Sequence, residues 1–156
     1  MKKVLWWIGG IIVGIVLLTV ADHMFIAINP GNSMNPSFKT DAILIVMPFF
    51  APQRGEIVVF REPKNNTSYF VKRIVGLPNE TVQIQDGEVL INGKVLDEPY
   101  VNSTTTPMNG SETSSSITLG NAQFFLMGDN RADSYDSRSY GPILRSDIVK
   151  KVVTEL

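Results

Sequence analysis

Three stretches of this chain carry side chains that could perform acyl transfer. The first is Asn29-Pro30-Gly31-Asn32-Ser33-Met34-Asn35-Pro36-Ser37, which sets Ser33 among Gly, Asn and Pro residues. Such a composition dictates a turn or loop, where a hydroxyl is accessible. A serine is a weak nucleophile until a neighbouring base takes its proton. The chain contains no cysteine, which removes thiol nucleophiles, disulfides and thiolate metal sites. It contains one histidine, His23, at the end of an apolar N-terminal run. A Ser-His-Asp triad would have to use that residue, whose setting suits a membrane surface better; the other base known to serve such a serine is lysine.

A lysine is a base near neutral pH only if its ordinary pKa of about 10.4 falls by several units, as burial among apolar groups achieves. Lys2 and Lys3 precede the apolar run, and Lys39, Lys64, Lys94, Lys150 and Lys151 have polar neighbours. Lys72 stands in Tyr69-Phe70-Val71-Lys72-Arg73-Ile74-Val75. In a strand, Phe70, Lys72 and Ile74 share one face while Tyr69, Val71, Arg73 and Val75 share the other. Two outcomes stay open. Either the Lys72 face is buried, or the Arg73 face is buried and Lys72 snorkels into water. The third stretch, Gly128 to Pro142, holds three aspartates, two arginines and three serines in fifteen residues. That density predicts an Asp–Arg hydrogen-bonded network that fixes a loop. The interleaved arginines and the lack of EF-hand spacing argue against Ca²⁺, and no metal or cofactor is expected.

These groups need a scaffold. Val4 to Ala21 is eighteen residues without a charge, preceded by Lys2 and Lys3 and followed by Asp22. It reads as an anchor, a helix over about 4–26 with its basic end in the cytoplasm and the rest of the chain outside. A cleaved signal peptide is the alternative, with Thr19-Val20-Ala21 a poor cleavage site and the apolar run too long. Gly10 and Gly14 fit a small-xxx-small helix pairing pattern, a weak signal in such a segment. Residues 1–28 are thus expected to be the anchor and 29–156 one extracytoplasmic domain. About ten residues, reaching at most roughly 35 Å, tether Ser33 to the membrane surface. Strands are expected at 42–47, 56–60, 69–75, 81–85, 88–91, 94–96, 123–127 and 148–153, with Asp86-Gly87 and Asn92-Gly93 as hairpin turns. The expected fold is mainly β, a compact, coiled antiparallel sheet. Asn102 to Ser116, rich in Ser, Thr and Asn, is expected to be an exposed loop. Hydrophobic residues make up 44 % of the chain, enough for a core, and the net charge of −1 implies no pull toward nucleic acid.

Taken in order, the anchor, Ser33-Met34-Asn35-Pro36, Arg54-Gly55-Glu56-Ile57-Val58-Val59-Phe60, Val71-Lys72-Arg73-Ile74-Val75-Gly76-Leu77-Pro78, Gly128-Asp129-Asn130-Arg131 and Ser134-Tyr135-Asp136-Ser137-Arg138 resemble the type I signal peptidases. The compact length is similar to the Gram-positive-type members. The resemblance implies a membrane-bound serine endopeptidase that removes signal peptides from preproteins emerging from the export machinery, cutting after small residues of Ala-x-Ala type. It implies Ser33 as nucleophile, Lys72 as general base and Ser134 as the hydroxyl that orients the amine. Asp136 and Arg138 would buttress the site, with Asp129 and Arg131 in the same framework and Met34 shaping it. An oxyanion donor from a hydroxyl two residues before the serine is missing, since that position is Gly31. Ser37, Lys39-Thr40-Asp41 and Asn79-Glu80 also depart from the family pattern, at turns. Two other readings stand beside it: a soluble Ser-Lys self-cleaving repressor protease, which the apolar N-terminus opposes, and a non-catalytic membrane-anchored module that binds exported peptides.

Overall fold

A computed structural model of the chain describes residues 25–63, 67–101 and 114–156. Residues 4–24 of the anchor helix expected over about 4–26, together with Gly10, Gly14 and His23, lie outside them. Among the described residues no helix is long and apolar enough to cross a membrane.

Among the described residues, eleven antiparallel strands form two sheets. In chain order they are β1 (Phe25–Asn29), β2 (Ala42–Met47), β3 (Ile57–Arg61), β4 (Tyr69–Gly76), β5 (Thr81–Gln85), β6 (Glu88–Ile91), β7 (Lys94–Val95), β8 (Ser114–Thr118), β9 (Gln123–Met127), β10 (Ile143–Leu144) and β11 (Ile148–Glu155). The larger sheet runs β1-β2-β11-β3-β4-β9-β10 and the smaller β7-β6-β5-β8. A four-residue helix, α1 (Ser137–Tyr140), is the one α-helix described. Mainly antiparallel β structure is therefore the observed class, as expected.

Period-two alternation explains β2. Ala42, Leu44 and Val46 are buried while Ile43 and Met47 face out. Central strands obey a different rule. In β3 and β4 both faces are covered, so Val58, Val59, Phe60, Val71, Ile74 and Val75 are all buried. Val59 and Val71 pack with Met34, Leu44, Val46 and Val152, while Val58, Phe60 and Ile74 pack with Phe124, Leu126, Ile143 and Ile148. A third cluster, with Val75, Phe125 and Met127 against Val82, Ile84 and Val89, joins the two sheets. At both expected hairpin turns, Asp86-Gly87 and Asn92-Gly93, the two residues have positive φ, the backbone that Asn-Gly and Asp-Gly turns require.

Two of the departures from expectation change the kind of structure a segment forms. Phe25 and Ile26, expected at the end of the anchor helix, belong to β1, where Phe25 pairs with Val46 and Ile26 with Ile45. Apolar residues resume at Met24 directly after Asp22 and His23, so hydropathy alone did not separate the strand from the anchor. Ser114 to Ser116, expected in the exposed loop, begin β8, whose register pairs Gln85 with Ser114 and Gln83 with Ser116. Backbone pairing to β5 holds this strand despite its polar side chains.

Candidate active site

Ser33 follows β1 in a loop held at both ends. The buried Asn29 side chain donates to Gly31 O at 3.1 Å and to Lys39 O at 3.0 Å, closing the loop on itself. Next to the serine, Met34 is fully buried among Leu44, Val46, Val59 and Val71 and pins the loop to the sheet. The other clamp comes from the loop after β9. Asn130 N–H donates to Ser33 O at 3.0 Å, and Asn130 Nδ2 donates to Asn32 O at 3.2 Å.

Lys72 lies in β4 opposite Val58 of β3 and is 3 % exposed. Its Nζ donates to Ser33 Oγ at 2.6 Å and to Val71 O at 3.0 Å. Burial pulls its pKa from the ordinary lysine value down to about 8; Asp136, Asp129 and Asp133 pull it upward and Arg138 adds to the depression. Of the two sequence alternatives, the one that buries the Lys72 face holds, and Lys72 does not snorkel into water. Arg73, on the opposite face, is also mostly buried and satisfied by its own partners.

Those partners were not foreseen. Arg73 donates to both carboxylate oxygens of Asp129 at 2.8 and 2.6 Å, to Gly55 O at 2.6 Å and to Ser37 Oγ at 3.0 Å. Asp129 is thus bound to β4. Arg131 instead forms a two-pronged pair with Glu98 at 2.6 and 2.9 Å and donates to Gly128 O. The expected Asp–Arg network within residues 128–142 is found for Asp136 and Arg138 alone; Asp129 and Arg131 each pair with a residue distant in sequence. Arg73 could have been suspected from its place beside Lys72, but nothing in the spacing paired it with Asp129. Glu98 carried no sequence signal.

Asp136 is the centre of the third stretch. Fully buried, it accepts from Arg138 Nε and Nη2 at 2.9 Å each, from Arg138 N–H at 3.1 Å, from Gly128 N–H at 3.0 Å and from Ser134 Oγ at 2.7 Å. It also caps α1. Burial raises the carboxyl's pKa, but the Arg138 hydrogen bond and charge, with the Gly128 and Ser134 donors, outweigh it and leave the pKa below the ordinary value. Ser134, expected to orient the lysine amine, gives its hydrogen to Asp136 instead, while the hydrogen bonds of Lys72 go to Ser33 and Val71.

At Gly128 the loop after β9 packs directly against the serine loop and Ser134. A Cβ there would lie 2.5 Å from Ser33 O and 2.7 Å from Ser134 Cβ, and would overlap Ser134 Oγ. The backbone of the serine loop must then move. Gly128→Ala is expected to lower kcat by about 10²-fold in a still folded protein, the scale that an ångström of misplacement costs. Steady-state kinetics with a thermal melt of the same sample checks this.

A cleft of about 270 Å³ opens over Ser33 and Lys72, walled by Gly31, Asn32, Phe70, Val71 and Tyr135. A second cavity of about 500 Å³ shares Val71 and is lined by Ala27, Ile28, Val59 and Val149. Among the described residues no cluster of His, Asp or Glu could hold a metal ion. The arrangement can do one kind of chemistry directly: transfer of a proton from a hydroxyl to an amine, beside an open cleft.

The family model described as "Signal peptidase, peptidase S26" matches residues 2–156. Signal peptidase I V of Bacillus subtilis is 32 % identical, covering 96 % of this chain and 96 % of that protein. Signal peptidase IB of Staphylococcus aureus is 31 % identical over 97 % of this chain and 88 % of its own. The crystal structure of a signal peptidase I from Enterococcus faecalis superposes with a TM-score of 0.56 at 32 % identity, covering 68 % of this chain and 99 % of that one. With its whole length matched by the family and its serine and lysine in contact, the chain belongs to the signal peptidases of family S26.

Proposed function

We propose that this protein is a membrane-anchored serine endopeptidase that cleaves signal peptides from exported preproteins, with Ser33 as nucleophile and Lys72 as general base. The observation that carries the reading is the 2.6 Å approach of a buried lysine amine to a loop serine hydroxyl. Neutral Lys72 takes the Oγ proton as Ser33 attacks the carbonyl of the scissile peptide bond. The resulting ammonium returns that proton to the leaving amine as the tetrahedral adduct collapses to an acyl-enzyme. Lys72, neutral again, takes a proton from the water that hydrolyses the ester and restores Ser33. Ser33 N–H is the first oxyanion donor, and each such donor contributes about 3 kcal/mol to the transition state.

The sheet supports one placement for the substrate. β4 pairs with β9 from Arg73 onward, so the side of Tyr69 to Lys72 toward β9 carries no ladder among the described residues. An extended peptide laid on that edge gains main-chain hydrogen bonds and reaches Ser33. The cleft beside it admits small side chains such as Ala, and the adjoining apolar cavity suits the upstream part of a signal peptide.

The location at the membrane rests on residues 1–28, with Lys2 and Lys3 cytoplasmic and the domain outside. A second feature supports it. Ile26 and Ile28 of β1 pair with Ile45 and Ile43 of β2, and Ile26, Ile28, Ile43 and Met47 are exposed on that outer face directly after the anchor.

The full-length protein in detergent, incubated with a preprotein, should release a mature product whose N-terminus follows an Ala-x-Ala sequence, read by mass spectrometry. Absence of any cut between pH 7 and 10 would leave the peptide-binding module as the reading. The rate should also report the base. A protonated amine cannot accept the Ser33 proton, so kcat/KM should rise with pH and level off above about 8. A plateau already reached at pH 6 rules out Lys72 as the base.

A further inference from the structure

The smaller sheet sends an arm back to the active site. After β7, Leu96 N–H bonds Val89 O at 2.8 Å, which roots the arm in that sheet. Glu98 to Val101 then form a turn, with Val101 N–H on Glu98 O at 3.1 Å. Two side chains leave this turn for the site. The Tyr100 ring stacks on the Arg73 guanidinium, 3.9 Å from ring centre to carbon. The Tyr100 hydroxyl donates to Glu98 Oε1 at 2.9 Å, and Glu98 holds Arg131 with both oxygens. Burial, then the Glu98 carboxylate, raise the Tyr100 pKa, so the phenol stays a neutral donor.

Arg73 is where the three chemical stretches join. It is the neighbour of Lys72 in β4, it donates to Ser37 in the serine loop, and it grips Asp129, next to the Asn130 N–H that bonds Ser33 O. Its orientation sets the distance between loop and strand. The planar guanidinium sits at the end of a long rotatable side chain, and the Tyr100 face restrains where its plane lies. Arg131, held by Glu98, fixes Gly128 O, at the point where the backbone passes Ser33 most closely.

We propose that Tyr100 and Glu98 are positioning residues for the Ser33–Lys72 pair, locking Arg73 and Arg131 so that the serine loop stays in register with β4. Neither lines the cleft, so they act through these arginines without touching substrate. The smaller sheet, which contributes no group to the chemistry, thereby gains a role: it carries the brace. This rests on the Ser33–Lys72 reading above.

The test is a set of variants of the full-length protein in detergent, assayed on one preprotein over pH 6–10. Tyr100→Leu removes the stack; kcat should fall about 10- to 100-fold with KM changed less than about threefold. Its acid limb should move upward by at least about 0.5 in pH, because a loosened site readmits water to Lys72. Tyr100→Phe keeps the stack and should retain kcat within about threefold. Glu98→Gln keeps the shape, drops the charge facing Arg131 and should lower kcat about 10-fold; it decides the matter where Tyr100→Leu does not fold. Wild-type kcat in the deciding variant overturns the proposal, as does a loss that lies in KM with an unmoved acid limb. Ser33→Ala in the same assay separates the two claims: its residual activity would sink the Ser33–Lys72 reading, whereas an inactive Ser33→Ala beside a wild-type Tyr100→Leu sinks the brace alone.

Discussion

Ser33→Ala and Lys72→Met are each expected to lower preprotein cleavage at least about 10⁴-fold, the scale on which a nucleophile or its base acts. Their effects on stability should differ in sign. Ser33→Ala removes one hydrogen bond of a buried amine and should cost about 1 kcal/mol. Lys72→Met should stabilise the fold at neutral pH. The Lys72 pKa is lowered to about 8 from an unfolded value of 10.5, and burial is the main cause. A base depressed in this way is a liability while both states are protonated: the full penalty acts below pH 8 and is relieved as pH rises from 8 toward 10.5. That difference corresponds to roughly 3 kcal/mol at pH 7, from which the lost Ser33 and Val71 hydrogen bonds subtract. A net gain of about 1–3 kcal/mol at pH 7, fading by pH 10, is the expected result. Denaturant midpoints at the two pH values, beside the cleavage rate, measure both halves. Cleavage by Lys72→Met at more than about a hundredth of the wild-type rate would remove lysine from the chemistry. A variant less stable at every pH would mean that the amine is held for the fold.

How much of this was legible beforehand depends on whether a feature is local. β2, β5 and β6 match the predicted residues because one face is wet and the alternation is clean. The hairpin turns were legible because Asp-Gly and Asn-Gly encode a backbone shape by themselves. β1 was hidden because Phe25 to Ile28 extends an apolar run, and burial next to lipid and burial in a sheet look alike in sequence. β8 was hidden because Ser114 to Thr118 has little apolar content and is held by the edge of β5. The choice between the two faces of β4 could not be made from the pattern, because a central strand covered on both sides alternates too weakly to mark the face that Lys72 shares with the core. The Asp136–Arg138 pair is two residues apart and was legible. The Asp129–Arg73 and Arg131–Glu98 pairs span 56 and 33 residues, so which carboxylate meets which guanidinium is decided by topology. The Ser134 role came from the family resemblance alone, and no sequence pattern announced its hydrogen bond to the Asp136 carboxylate two residues on.

Asp136→Ala should be the most destabilising single change in the site. It strands Arg138, which is 5 % exposed and whose Nε and Nη2 both bond that carboxylate, and it deprives Gly128 N–H and the Ser134 hydroxyl of their acceptor. Removing one partner of a buried pair costs about 3–5 kcal/mol, enough to unfold a protein of ordinary stability near its growth temperature. The pH dependence gives the cause away. Because the Asp136 pKa lies below that of an unfolded carboxyl, its contribution is present in full above the unfolded pKa and is lost as pH falls through the folded one. The gap between wild type and Asp136→Ala should therefore be widest near pH 7 and narrow toward pH 3. A gap that does not change with pH would mean that lost packing is the cause and that the charge is incidental. The double variant Asp136→Ala, Arg138→Met removes the stranded cation as well and should recover part of the stability. It should recover no activity, because Gly128 and Ser134 still lack the acceptor that sets the loop beside Ser33. Stability restored without function would show that the buried pair is kept for the geometry it imposes on the serine loop, since an apolar filling serves the fold as well.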